Sequence, residues 1–171
     1  MSRRTPLPWL CIAAAVCMAP LEAQAGTETP AGAAAVSGQS APILEDDPAP
    51  LLGYGIAEAI TRFGPPGSVR PFRGEEAWQD DVAFIYPPGY TLFWSGDRLW
   101  QIRFTAPYTG TIYGLFIGDQ SSKVYSTLGQ PYEIQGETLI YRLAYRGYPV
   151  RLSLVFASDR LADVYLYRAD Y

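Results

Sequence analysis

The sequence predicts an α+β fold. Two tandem units, each a short helix and three strands, form one antiparallel sheet with the helices packed on one face. Three observations predict it. Leu51-Leu52-Gly53, followed by Phe63-Gly64-Pro65-Pro66, recurs as Phe116-Ile117-Gly118, followed by Leu128-Gly129-Gln130-Pro131, about 65 residues further on. Gly96-Asp97-Arg98-Leu99-Trp100-Gln101-Ile102 recurs as Ser158-Asp159-Arg160-Leu161-Ala162-Asp163-Val164. From Leu51 to the C-terminus, aromatic and β-branched residues alternate with polar ones, as half-buried strands require.

The units span residues 51–106 and 114–171. In the second, Gly118-Asp119 offers a cap to a helix over residues 121–128, with Val124, Tyr125 and Leu128 on one face. Gly129 ends that helix and Pro131 prevents it from resuming. In the first, Ile56, Ile60 and Phe63 share the spacing, and Gly64-Pro65-Pro66 is the stop. Strands follow over residues 82–86, 90–94 and 99–104, and again over 138–145, 150–156 and 161–168. Pro87-Pro88-Gly89, Ser95-Gly96-Asp97, Arg146-Gly147-Tyr148-Pro149 and Ser158-Asp159-Arg160 supply the turns. Residues 68–79 have no counterpart in the second unit and are expected to form a loop. The folded part, 51–171, has about 120 residues, enough for one core, whereas halves of about 60 without cysteine are marginal. The two units are therefore expected to share one core.

Upstream, residues 1–25 read as a secretion signal. Arg3 and Arg4 give the positive start, residues 9–19 are apolar but too short to span a bilayer, and Ala23-Gln24-Ala25 is a small-x-small cleavage pattern. Cleavage is expected after Ala25, and a retained membrane anchor is the alternative. Cys17 follows Ala14-Ala15-Val16, whose last residue does not suit lipid attachment. Residues 26–50, rich in Ala, Gly, Pro, Ser and Thr with an acidic run at Glu45-Asp46-Asp47, read as a disordered linker.

Cys11 and Cys17 both lie in the signal, so the mature chain has no disulfide. The net charge of -4 argues against nucleic acid and against an anionic membrane surface. Lys123 is the only lysine, an arginine bias that reads as a GC-rich genome. A periplasmic or secreted bacterial protein, without stable membrane insertion after cleavage, is the expectation.

The arrangement resembles the β-lactamase inhibitor protein (BLIP-like) fold, and is similar to the small envelope-assembly proteins of the SmpA/OmlA (BamE-like) type. Ile117-Gly118-Asp119, Lys123-Val124 and Leu128-Gly129-Gln130-Pro131 carry the likeness, with Leu52-Gly53 and Phe63-Gly64-Pro65-Pro66 in the first unit. The resemblance implies a protein-binding scaffold. The inhibitors use disulfides that this mature chain lacks, and the assembly proteins carry one unit and a lipid-bearing cysteine. None of the shared positions is a partner contact.

Histidine is absent, which removes the usual general base and the commonest metal ligand. Ser121 and Ser122 lack the spacing that would pair a serine with Lys123, and Gly53-Tyr54-Gly55 is too short for a phosphate loop. Glu75, Glu76, Asp80 and Asp81 surround Trp78. That composition suits a carboxylate pair for glycoside chemistry, a calcium site, or a plain solvated loop. Asp97 and Asp159 hold matching turn positions, where aspartate bonds its own backbone. No catalytic, cofactor or metal residue is assigned, and the chain is read as not an enzyme.

An antiparallel sheet covered on one side leaves the other open. Strand alternation puts Phe93, Arg103, Arg142, Arg151, Tyr165 and Tyr167 on that side, with Thr91, Gln101 and Ser153 between them. Aromatic residues and arginine are enriched at interfaces. They also suit an ordinary wet sheet face. The expected function is a non-catalytic protein-binding module, such as an inhibitor or immunity-type protein. The alternative is a structural accessory of an envelope assembly or transport complex.

The exported protein is predicted to begin at Gly26 and to carry no lipid. Intact mass and N-terminal sequencing of the exported form check this, and a diacylated Cys17 contradicts it.

Overall fold

The computed structural model describes residues 41–73, 81–87 and 89–171. The signal, most of the expected linker, and Glu75, Glu76, Trp78 and Asp80 lie outside the described residues. A 3-10 turn (η1, Ala49–Leu51) leads into helix α1 (Ile56–Phe63) and strands β1 (Ser68–Phe72), β2 (Asp81–Tyr86), β3 (Tyr90–Ser95) and β4 (Arg98–Thr105). Helix α2 (Ser121–Leu128) leads into β5 (Glu133–Gln135), β6 (Thr138–Arg142), β7 (Val150–Ala157) and β8 (Arg160–Arg168). The eight strands make one antiparallel sheet in the order β1-β2-β3-β4-β8-β7-β6-β5. Helix followed by strands thus occurs twice, with four strands each time where three were expected.

The fourth strand of each set lies at a sheet edge. Strand β1 occupies the stretch expected as a loop, and all five of its residues are exposed. With no strand beyond it among the described residues it has no apolar alternation to read, and it carries Pro71, which edges tolerate. Strand β5 is three exposed residues and leaves as little trace. Strand β6 stops at Arg142, short of the expected residue 145.

Helix α1 starts at Gly55, whose N–H donates to Glu58 Oε2 at 2.7 Å. It ends at Gly64, at φ 75°, a left-handed value that glycine takes without strain. Its buried stripe is Ala59 and Phe63, while Ile60 is 41% exposed. Ile56 and Phe63 lie on the expected face, packed against the core, and Ala59 takes the place expected for Ile60. Helix α2 is capped from Gln120, and the expected Asp119 cap instead accepts Phe116 N–H at 2.9 Å within the preceding turn. Val124 is the residue it buries fully.

The core lies between the helices and one face of the sheet. Leu92, Trp94, Leu99, Ile102, Phe104, Leu152, Leu154, Val164 and Leu166 have no exposed surface. Each such side chain contributes roughly 1.5–3 kcal/mol of burial. Leu99 and Ile102 are three residues apart yet face the same way. A bulge makes this possible: Trp94 pairs with Leu99 and Phe93 with Gln101, leaving Trp100 over. Strands β7 and β8 do the same with Leu161, Ala162 and Asp163.

The punctuation residues noted in the sequence form matched bonds. Gly53 N–H donates to Leu99 C=O at 2.7 Å and Gly118 N–H to Leu161 C=O at 2.8 Å. Arg98 and Arg160 donate to the carbonyls of Gly53 and Gly118, both at 3.2 Å. Tyr86 and Tyr141 hydroxyls donate to Gly64 and Gly129 carbonyls at 3.1 and 3.0 Å. Burial pushes the Tyr86 hydroxyl up to about 12, so it stays a donor at neutral pH.

Residues 41–50, expected to belong to the linker, pack against the folded part. Leu44 and Ala49 are buried. Glu45 pairs with Arg62 at 2.6 Å. Asp46 Oδ1 accepts Gly114 N–H at 2.8 Å. Asp47 accepts the Tyr113 hydroxyl at 2.6 Å and Arg146 at 2.9 Å. The acidic run reads as solvated from composition because its partners lie far along the chain.

Gly89 supplies a direct test of the packing between the β2–β3 turn and the end of β4. At φ +105°, a Cβ there would meet Thr105 O at 2.5 Å and Tyr108 N at 2.7 Å. Gly96, at φ +60°, has nothing within 4 Å. Gly89→Ala is expected to cost at least about 3 kcal/mol in urea unfolding and Gly96→Ala about 1 kcal/mol. Equal losses contradict the close approach.

Candidate functional site

The face opposite the core is built by the same alternation that builds the core. In β3 and β7, buried residues alternate with half-exposed ones along almost the whole strand. Phe93, Arg103, Arg142, Arg151, Tyr165 and Tyr167 all stand on this outer side. Register lines most of them up. Phe93 pairs with Gln101, Gln101 with Tyr167, Tyr167 with Arg151, and Arg151 with Arg142, a single row across β3, β4, β8, β7 and β6. Arg103 and Tyr165 face each other in the neighbouring row, where the two central strands meet.

The three arginines have different surroundings. Arg103 is neutralised by Asp163: its Nε and Nη2 donate to Oδ1 at 2.9 and 2.7 Å, and its guanidinium lies 5.6 Å from the Tyr165 ring centre. Arg142 lies 3.3 Å over the ring of Tyr132, and Arg151 lies 5.5 Å from the same ring. Neither makes an ion pair among the described residues. Towards the other edge, Phe93 contacts Phe72 with ring centres 5.8 Å apart. The bulge residue Trp100 donates to Asp81 Oδ2 at 3.1 Å and stacks on Tyr171 at 6.0 Å.

Sequence reading alone missed Asp163, Tyr132, Phe72 and Trp100. Asp163 was within reach, since it stands two residues before Tyr165 and shares its face. Tyr132 was not, because it lies just outside β5 and comes over the face only through the β5–β6 pairing. Of the acidic residues around Trp78, only Asp81 is described, and it takes the Trp100 indole. Asp159 accepts a hydrogen bond from Ser121 Oγ of α2 rather than closing its own turn.

Other places offer less chemistry. A hollow of about 240 Å³ lies between residues 42–51 and α1, lined in part by Glu45, Asp47 and Arg62. One of about 310 Å³ lies between α2 and the β5–β6 hairpin, with Tyr125, Ile134 and Phe156 in its wall. Among the described residues no cluster of metal-ligating side chains occurs, and no helix is long and apolar enough to cross a membrane.

No family model matches this chain, and no curated protein matches it. Among solved structures it is similar to an extracellular protein containing an SCP domain from Bacillus anthracis str. Ames, at 12% identity and a TM-score of 0.52. The match covers 78% of this chain and 49% of that one, so the chain spans about half the length of that protein. At this identity the likeness concerns the fold.

The two kinds of arginine should respond differently to substitution. Arg103→Gln removes a charged hydrogen bond from a partly exposed site and is expected to cost about 1 kcal/mol. Arg151→Gln removes a like-charge repulsion and is expected to be neutral or to stabilise by up to about 0.5 kcal/mol at low salt, with the gain lost at high salt. Urea unfolding at two salt concentrations checks this. A loss at Arg151 equal to that at Arg103 contradicts it.

Proposed function

We propose that this chain is an exported, non-catalytic protein-binding module, of the inhibitor or immunity type, whose open sheet face receives a protein partner. The row Phe93, Gln101, Tyr167, Arg151 and Arg142, with Arg103 and Tyr165 beside it, carries the reading. It sets large aromatic and guanidinium groups side by side on five rigid strands, and these types dominate the energetic centres of interfaces. The lack of histidine anywhere, and of cysteine beyond Cys17, supports a role without catalysis. The signal-like N-terminus supports export, and so does the extracellular nature of the similar structure.

The chain also reads as one unit used twice. The matched bonds of Gly53 and Gly118, of Arg98 and Arg160, and of Tyr86 and Tyr141 support this. So does the resemblance to the inhibitor fold, which is a fold-level analogy.

A photo-crosslinking residue at Tyr167 is expected to capture a protein in cells, and one at the exposed helix position Ser122 is not. Equal capture at both positions, or capture at Ser122 alone, contradicts this use of the sheet face.

A further inference from the structure

The open face carries its charge unevenly. Arg103 is balanced by Asp163. Arg142 and Arg151 are directly opposite each other on β6 and β7, two like charges across one pair. That placement costs stability. No carboxylate among the described residues pairs with either: Glu133, opposite Ile140 two residues along β6 from Arg142, accepts Gln135 Nε2 at 2.6 Å. The Arg142 guanidinium lies on the Tyr132 ring at 3.3 Å and that of Arg151 lies 5.5 Å from its centre, and Tyr132 as a residue is 52% exposed. Stacking on a ring uses the flat face of a guanidinium. Its N–H donors lie in the plane of the group, arranged as a fork that matches a carboxylate, and stacking leaves them free.

We propose that Arg142 and Arg151, steadied on Tyr132, form a fork for a carboxylate side chain of an acidic protein partner. The proposal rests on the reading of the open face as a protein-binding surface and names the chemistry of the partner. Two observations favour a protein carboxylate over a polyanion or an anionic bilayer. Two cations match one side-chain carboxylate, whereas a densely negative polymer or surface needs many and is otherwise repelled by a chain that carries -4 as a whole. The row continues from Arg151 into the neutral Tyr167 and Gln101, which suit a mixed protein surface and not a run of phosphates. An unrelieved pair of cations is thus kept where a partner's acid can complete it.

The test uses the whole chain and a synthetic decapeptide of tyrosine and serine with one central glutamate, with the glutamine-for-glutamate peptide as control. The glutamate peptide is expected to shift the Nε–Hε NMR signals of Arg142 and Arg151, and the control is not. Arg142→Gln and Arg151→Gln are each expected to raise its Kd about tenfold, in keeping with the loss of a charged hydrogen bond. Arg142→Lys and Arg151→Lys keep the charge without the fork and should also weaken binding. They cover the case in which a glutamine variant does not fold. Equal binding of the two peptides, or undiminished binding by the double glutamine variant, overturns the proposal. Tighter binding to phosphatidylglycerol vesicles or to heparin, lost in that variant, overturns the choice of a protein carboxylate. The two readings fail separately. Capture at Tyr167 that is undiminished in the double variant leaves the binding face standing without the fork, whereas no capture at Tyr167 removes the face itself.

Discussion

The pairing of β4 with β8 is the constraint on which the rest of the structure depends. These strands are last in their respective halves of the chain, yet they lie at the middle of the sheet. Every other strand reaches the opposite half only through them. Their inner residues Ile102, Phe104, Val164 and Leu166 are fully buried, so the two halves close over one core. The same seam sets the outer face, because it brings Arg103 opposite Tyr165 and Gln101 opposite Tyr167. A shift of one residue would turn both rows inward. Core and candidate binding face are two consequences of one register.

The acidic run Glu45-Asp46-Asp47 adds a second tie. Its partners come from α1 through Arg62, from the segment between the halves through Tyr113 and Gly114, and from the β6–β7 connection through Arg146. Such bonds on partly exposed carboxylates are individually modest. Their value here is positional, since three consecutive residues fasten three separated parts of the chain. Burial and the Asp47 carboxylate both push the Tyr113 hydroxyl up, so it remains a donor to that carboxylate across the physiological range.

The outer face is held in part by its own bonds. Arg103 has Asp163, and Phe93 has Phe72. Contacts of this kind fix side chains in advance, which lowers the cost of association for a face that binds. The corner around Tyr132 differs, because its ring contacts orient the arginines without neutralising them. A face with Phe93 and Arg103 held by neighbours and an uncompensated charge at one end suits a directional contact better than a uniform apolar patch does.

The helix stops, the inner strands and the side of the sheet taken by the six site residues were legible in the sequence. Each follows from a local rule: glycine at a left-handed position, proline beyond a helix end, alternation along a half-buried strand. The repeated Asp-Arg-Leu turns marked where strands reverse, although the bonds made by Arg98 and Arg160 could be seen only in space. What local rules could not decide was whatever depends on a partner distant in the chain. The edge strands β1 and β5 hold only exposed residues, so they leave no periodic signal, and their existence is decided by the strands beside them. The acidic run looks like linker until Arg62, Tyr113 and Arg146 are near it. The separation of Arg103, neutralised, from Arg142 and Arg151, left bare on Tyr132, is a matter of which side chains meet across strands. Periodicity can assign a residue to a face, but only tertiary structure assigns it a neighbour, and the neighbour decides what its charge is free to do.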